Sequence, residues 1–307
     1  MKKILILIAA LAISFSLNAQ QIDLKLNLEV GKVYKQKSIS TSNMAQEVSG
    51  MNFNIDMKFS GIVYFKVTGI ENDEYKLEIK SDSTKMEITS PFFTFNASSV
   101  NSDEKDYLSM FLKKYSEKAF NVRMTKYGQI TQIENFEELF KSIFDDLSKI
   151  DFGAGPMTQM RSQLEQSYGK DAFKNNVLSQ FAFYPTKKVG VGEKWIITSV
   201  FNPGVPIDTD TEYELINFDS NTATIKGISS STVAEGNQVK EVNGQNMKIE
   251  MSGKGFYEIK IDRKSGWVIE SGLKQELTTN STMKQGETGE EMKFVSKSIS
   301  ETIITNK

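Results

Sequence analysis

Between Met57 and Val67 the odd positions are Met57, Phe59, Gly61, Val63, Phe65 and Val67, while the even ones include Lys58, Ser60 and Lys66. A period of two marks a strand with one buried face. Glu71-Asn72-Asp73 reads as a turn. The next strand starts in phase with Tyr75, Leu77 and Ile79 and resumes as Thr84, Met86 and Ile88. Its change of phase near Ser81–Ser83 predicts a β-bulge, because one extra residue switches the faces. Strands this long need bends, so a strongly curved sheet is expected.

Residues 102–117 change the period. Tyr107, Leu108, Phe111, Leu112 and Tyr115 recur at three and four, after a capping Ser102 and the acidic Asp103 and Glu104. That predicts an amphipathic helix. Phe120, Val122 and Met124 resume a strand, Lys126-Tyr127-Gly128 turns it, and Ile130 and Ile133 continue. Asn135 with Glu138 three residues on reads as a capping box, followed at helical spacing by Phe136, Leu139, Phe140, Ile143, Phe144 and Leu147. Gly153-Ala154-Gly155-Pro156 ends that helix, and two more are expected near 157–168 and 171–181. From Trp195 to about Ile304 the chain alternates again.

About eleven strands follow from this pattern: roughly 24–40, 53–70, 73–89, 119–126, 129–134, 193–201, 208–218, 221–234, 246–262, 266–281 and 290–305. Two landmarks recur. Val30-Gly31-Lys32-Val33-Tyr34 has a counterpart in Val191-Gly192-Glu193-Lys194-Trp195. Phe120-Asn121-Val122 running into Gly128 has one in Phe256-Tyr257-Glu258 running into Gly266. The fold class expected is α+β and β-dominated: a long, curved, half-barrel-like antiparallel sheet in two related halves, with helices inserted between strands. The organisation is a leader over 1–19, an N-terminal β half over 20–134 with one helical insertion, a helical connection over 135–185 and a C-terminal β half over 186–307.

Residues 1–19 read as a secretory signal peptide. Lys2 and Lys3 precede an apolar run from Ile4 to Leu17, and Leu17-Asn18-Ala19 offers cleavage after Ala19. The run is short for a membrane span. No later segment is apolar enough for one, and with no Cys anywhere no lipid anchor is expected. The mature protein is therefore expected in the periplasm or outside the cell. Net charge is −2 with both signs interspersed, so no nucleic-acid partner is expected. The chain also has no His. This removes the histidine base, the Ser–His and Cys–His pairs, and imidazole or thiolate metal ligands. No cofactor is expected, and the catalytic chemistry left is paired carboxylates, a Lys or Tyr base, or an oxygen-ligated metal.

At Pro185–Trp195 and Gly253–Trp267 the chain resembles a family of uncharacterised secreted proteins of Bacteroidota-type bacteria. The shared motifs are turn and strand-start signals, Gly192 and Lys264-Ser265-Gly266 among them. In architecture the expected sheet is similar to the half-barrel of periplasmic lipoprotein carriers. That resemblance implies acyl chains held in a concave face beneath a helical lid.

Candidate ligand-binding residues are Phe92, Phe93 and Phe95, a cluster that suits the mouth of a cavity, and Met157 and Met160 on a predicted helix over the sheet. Trp195 and Trp267 read as core. Asp208, Asp210 and Glu212 fall on one strand face but lack the glycine of a calcium loop. Asp82-Ser83-Thr84 fits a short O-glycosylation pattern, with Ser83 as the site. Three functions remain open: a non-catalytic envelope protein that binds or carries an apolar, lipid-like ligand; a module docking on an envelope protein or polymer; and a carboxylate hydrolase. The first expects an apolar cavity, the second an exposed apolar patch, the third two carboxylates in one cleft.

Overall fold

The computed structural model describes residues 21–48, 50–100, 106–150, 157–201, 205–236, 238–242, 245–285 and 290–307. Residues 1–19, expected to form a leader, and Ser102, Asp103, Glu104 and Gly153–Pro156 lie outside them. The strands are β1 (Val33–Val48), β2 (Met51–Glu71), β3 (Glu74–Thr89), β4 (Thr94–Ser98), β5 (Ala119–Thr125), β6 (Ile130–Glu134), β7 (Lys194–Phe201), β8 (Ile207–Phe218), β9 (Thr222–Val233), β10 (Val239–Val242), β11 (Gln245–Asp262), β12 (Val268–Gln285) and β13 (Glu290–Thr305). The helices are α1 (Tyr107–Ser116), α2 (Phe136–Leu147), α3 (Met157–Tyr168) and α4 (Lys170–Leu178).

All thirteen described strands belong to one open, curved antiparallel sheet, ordered β6-β5-β3-β2-β1-β13-β12-β11-β9-β8-β7. β4 pairs with β3, and β10 with β11, beside this path. The two halves share the sheet because β1 pairs with β13 from Lys37↔Thr305 to Val48↔Phe294. The edge strands β6 and β7 are consecutive in the chain, so α2, α3 and α4 connect one edge to the other.

The bulge expected near Ser81–Ser83 is present. Val63 pairs with Ser81 and Ile62 with Ser83, which leaves Asp82 as the extra residue. The step returns Met86 and Ile88 to the face that carries Tyr75, Leu77 and Ile79. The hairpin before it turns at Asn72 (φ 51°) and Asp73 (φ 64°), the left-handed pair a two-residue turn requires.

Burial is concentrated at one end of the sheet. There Tyr34, Phe65, Val67, Tyr75, Leu77, Ile79, Leu215, Ile225, Ile259 and Ile261 face a common core with the helices. Trp267 lies at its centre, with ring centroids 4.8 Å from Tyr34 and 5.2 Å from both Phe65 and Phe181. Its indole N–H donates to the carbonyl of Lys35 at 3.3 Å. Trp195 stacks on Tyr213 and donates to the carbonyl of Phe183 at 2.8 Å. Around α2 a second aromatic group forms, where Phe120 stacks on Phe136 at 4.9 Å and touches Phe173 at 5.0 Å.

Three expectations are corrected. The first strand was placed at 24–40, but residues before Val33 do not join the ladder. Ile22, Leu24, Leu26 and Leu28 are buried in alternation, yet they cross the base of the sheet and bond to turns: Leu26 N–H to Lys126 O and Asn27 N–H to Ser265 O. Period two reports an extended segment with one buried face, not its partner. The capping box at Asn135 does not form, because Asn135 adopts a left-handed conformation (φ 56°) and its side chain makes no cap bond. The first helix starts at Tyr107, capped by Asp106, whose carboxylate accepts from Leu108 N–H and Ser109 N–H. The short strands β4 and β10 were not foreseen.

The recurring landmarks take matching bonds. Gly31 N–H donates to Val67 O and Gly192 N–H to Leu215 O, each at 2.8 Å. Both glycines have positive φ, and a register shift follows each acceptor. Gly128 and Gly266 also share positive φ, and a register shift lies beside each turn.

A Cβ at Gly266 would lie 2.1 Å from the carbonyl oxygen of Lys25, on a backbone with φ +71°. Gly266→Ala therefore combines left-handed strain with a clash against the N-terminal segment. A loss of about 2–3 kcal/mol is expected in denaturant unfolding. Gly192→Ala, with positive φ but open space around its Cβ, should lose clearly less.

Candidate functional site

The helix-facing side of β2 and β3 carries an apolar strip that the helices cover only in part. Alternation places Phe53, Ile55, Met57 and Phe59 of β2 on this side. The Asp82 bulge brings Met86 and Ile88 of β3 beside Phe59 and Met57, and Phe95 of β4 pairs with Ile88. All seven remain partly exposed.

At its inner end the strip runs under the helices and opens into a groove of about 440 Å³. Its apolar wall is Phe59, Met86, Leu108, Met160 and Leu164. Its polar rim is Gln163, Ser167, Tyr168 and Asn176, and none of these described lining residues is charged. α3 builds most of it, because Met160, Leu164 and Tyr168 recur at a spacing of four on one helix face. On another side of α3, Arg161 lies 4.6 Å from the Phe144 ring and bonds Glu165, which holds the helix on α2. α1 is tied to the sheet by Ser109, whose hydroxyl oxygen accepts from the N–H of Ser98 at 3.0 Å.

Tyr168 closes the groove against Phe111 (5.2 Å) and Tyr115 (5.6 Å). Burial pushes the Tyr168 hydroxyl up to about 12, and burial raises Tyr115 as well. Both phenols stay neutral near pH 7, so the described wall is apolar and hydrogen-bonding without charge.

Of the five candidate residues, Met160, Phe95 and Phe92 fall on this strip. Met160 lines the groove and Phe95 packs partly buried near the middle. Phe92 and Phe93 sit at the tip of the β3–β4 hairpin, 76% and 53% exposed. Ser90 holds that turn, its hydroxyl oxygen accepting from both their N–H groups. Phe92 touches Phe53 edge-on at 5.5 Å, which places the tip at the outer end of the strip. Met157 is the first residue of α3, and its side chain lies outside the described residues. Phe59, Met86, Leu108 and Tyr168 were missed as site residues. Their spacing marks them as inward-facing, but spacing does not distinguish a covered position from a half-covered one.

The opposite face is charged. Asp208, Asp210 and Glu212 lie on it, as expected; Thr198 donates to Asp210 at 2.6 Å and Lys194 to Glu212 at 2.7 Å. A depression of about 850 Å³ there includes Asp56, Lys58, Glu87, Lys274 and Glu301 around Phe256. Glu87 is held below the usual carboxylate range by Lys85, an ordinary surface ion pair. Ser83 also faces this side, opposite Ile62. Among the described residues no group of three or more Asp or Glu is placed to hold a metal, and no helix is long and apolar enough to cross a membrane.

The fold and groove define an open antiparallel half-barrel with one helix-covered apolar surface. The chain belongs to a family of unknown function (DUF6263), whose model matches residues 72–268. Three solved structures show distant likeness in fold. A structure of lipid–protein interactions in lipovitellin has a TM-score of 0.47 and 9% identity, covering 91% of this chain and 26% of that one. Pseudomonas aeruginosa OpdQ has a TM-score of 0.25 and 5% identity, covering 90% and 99%. Salmonella typhi OmpF in complex with daunomycin has 0.21 and 8%, covering 91% and 99%. The chain thus spans about a quarter of the lipovitellin chain. No curated protein matches it.

The raised Tyr168 pKa has a definite sign. The unfolded phenol ionises near 10.0 and the folded one near 12. The stabilising effect is complete below 10.0 and is lost as pH rises through about 12, because only the unfolded chain releases the proton in that window. Tyr168→Phe should flatten part of the alkaline fall in stability, read as the unfolding midpoint against pH.

Proposed function

We propose that the protein is an exported, non-catalytic binding or carrier protein of the cell envelope that holds an apolar, lipid-like ligand along the helix-facing side of β2 and β3. The observation that carries this reading is the partly exposed strip from Phe53 to Phe59, continuous with the groove at Met160. An apolar surface with a few hydrogen-bonding groups at one end suits an amphiphile, its chain on Phe, Met and Ile and its polar end at Gln163, Ser167 and Asn176. Met supports this because its unbranched side chain adapts to ligands of varied shape. The reading includes a leader cleaved after Ala19 and a periplasmic or extracellular destination. It also takes the two β halves as products of duplication, supported by the paired glycine turns at Gly31 and Gly192.

A second reading is a docking module for another envelope component. It draws on exposed apolar residues of the charged face, Phe256 at 51% and Ile228 at 58%.

Native mass spectrometry on protein purified from an exporting host tests the first reading. A bound mass that is released on denaturation and recovered as lipid in the organic extract is the expected result. Ser167→Trp fills the groove from an exposed rim position. It should weaken rebinding of the extracted lipid at least roughly tenfold, about 1.4 kcal/mol, with an unchanged circular dichroism spectrum. A clean apo mass that stays unchanged when lipids are offered would leave the docking reading.

A further inference from the structure

The sheet path ends at two edges, β6 and β7. β6 has five residues, ends at Glu134 and is followed almost at once by α2. β7 is unlike it. From Trp195 to Phe201 (Trp-Ile-Ile-Thr-Ser-Val-Phe) it has no charged residue and no proline. It pairs with β8 without a register shift. Ile196 is 66% exposed, Val200 58% and Phe201 46%, and Thr198 and Ser199 between them are exposed too. Edges that stay single are usually blunted by lysine, proline or a bulge. A flat, uncharged, β-branched run of this length is instead the signature of a strand that pairs.

The hydrogen-bond phase shows which backbone groups are available. Leu215 N–H donates to Glu193 O at 3.2 Å, and the ladder continues in register through Trp195↔Tyr213 and Ile197↔Thr211. Trp195, Ile197, Ser199 and Phe201 therefore bond to β8, and Ile196, Thr198 and Val200 direct their N–H and C=O groups away from the sheet. Four of the side chains are placed symmetrically about Thr198: Ile196 mirrors Val200 and Trp195 mirrors Phe201, while Ile197 falls opposite the small Ser199. A two-fold axis through Thr198 pairs every outward-bonding residue with another. It also sets Ile196 against Val200 of the partner subunit on one face and Phe201 against Trp195 of the partner subunit on the other.

We propose that β7 is a homodimer interface, in which two copies pair antiparallel through this strand with the two-fold axis at Thr198, joining two sheets into one. An extended segment of another protein can add to an edge in the same way. The symmetric placement of Ile196 with Val200 and of Trp195 with Phe201 about Thr198, which sets these apolar side chains against one another when the strand pairs with itself, selects a second copy.

The chain has no Cys, which makes the register testable. Hydrogen-bonded antiparallel partners have Cα atoms about 5.5 Å apart, within the range a disulfide spans, about 4.4–6.8 Å. Thr198→Cys should convert to a covalent dimer under mild oxidation, whereas Lys226→Cys, on the exposed face of β9, should stay monomeric. Light scattering should show the wild type approaching twice the chain mass as concentration rises. Thr198→Pro should hold it at one, because its N–H faces outward and proline is tolerated on an edge. A wild type that stays monomeric across the concentration range overturns the proposal. So does a dimer in which the Thr198→Cys variant does not cross-link.

Discussion

The indole of Trp267 holds together parts of the chain that are distant in sequence. It touches Tyr34 of β1, Phe65 of β2 and Phe181 beyond α4, and bonds the carbonyl of Lys35. One residue earlier, Gly266 lets the backbone of Lys25 and Leu26 pass close by. The first and last thirds of the chain, the helical connection and the N-terminal segment therefore meet at one point. Truncating a buried indole of this kind costs about 3–5 kcal/mol, a large share of the 5–15 or so that separates folded from unfolded domains. The far end of the sheet offers little to offset such a loss. Where β1 meets β13 its helix-facing row is mostly small and polar, with Ser40 beside Thr302, Ser42 beside Ser300, Met44 beside Ser298 and Gln46 beside Ser296, and buries little apolar area. The long strands are anchored at one end and extend from it.

The helix-facing sides of the two halves are also packed differently. Across β9 and β11 the helix-facing row contains Gly227, Gly253 and Gly255, and larger neighbours fill the space. A Cβ at Gly227 would lie 2.7 Å from the Tyr213 ring, and one at Gly253 would lie 2.3 Å from Leu277. The second half is packed by its own side chains. In the first half the corresponding face carries Phe53, Ile55, Met57 and Phe59, with helices over one end and nothing of comparable size lying across the rest among the described residues. An apolar surface without a filled counterpart is what distinguishes this face from the packed face of the second half.

Much of the fold was legible in the sequence, for reasons that also set the limits. Strict alternation located the long strands except β1, which runs on to Val48 where the pattern had ended it at 40, and the phase change at Ser81–Ser83 located a bulge, because a side-chain period of two has no other simple way to switch faces. Helical spacing located α1 and α2 by their Phe and Leu faces. Pairing partners left no such trace. Ile22 to Leu28 alternates as well as any strand, yet it lies across turns, and Asn135 looks like a cap while its backbone is left-handed. The site was legible only in outline. Met160, Phe92 and Phe95 fell on the strip, but Phe59 and Met86 carry the same pattern as the fully buried Phe65 and Leu77. Partial cover is decided by where α3 ends up, and that is a tertiary fact.

The far extensions also raise a problem of edges. β3 reaches well past the strand that covers it: β5 pairs only with Glu74–Lys80, and the short β4 takes over at Lys85–Thr89. β11 is divided in the same way, with β9 on Ser252–Asp262 and β10 on Gln245–Lys248. In each half a short hairpin strand covers part of the ladder that the neighbouring strand leaves open. Exposed backbone donors and acceptors invite foreign pairing, and two independent short strands at matching places indicate that this hazard shaped the fold. Against that background the uncharged run of β7 from Trp195 to Phe201 and its unbroken register stand apart from the way the other exposed ladders are closed.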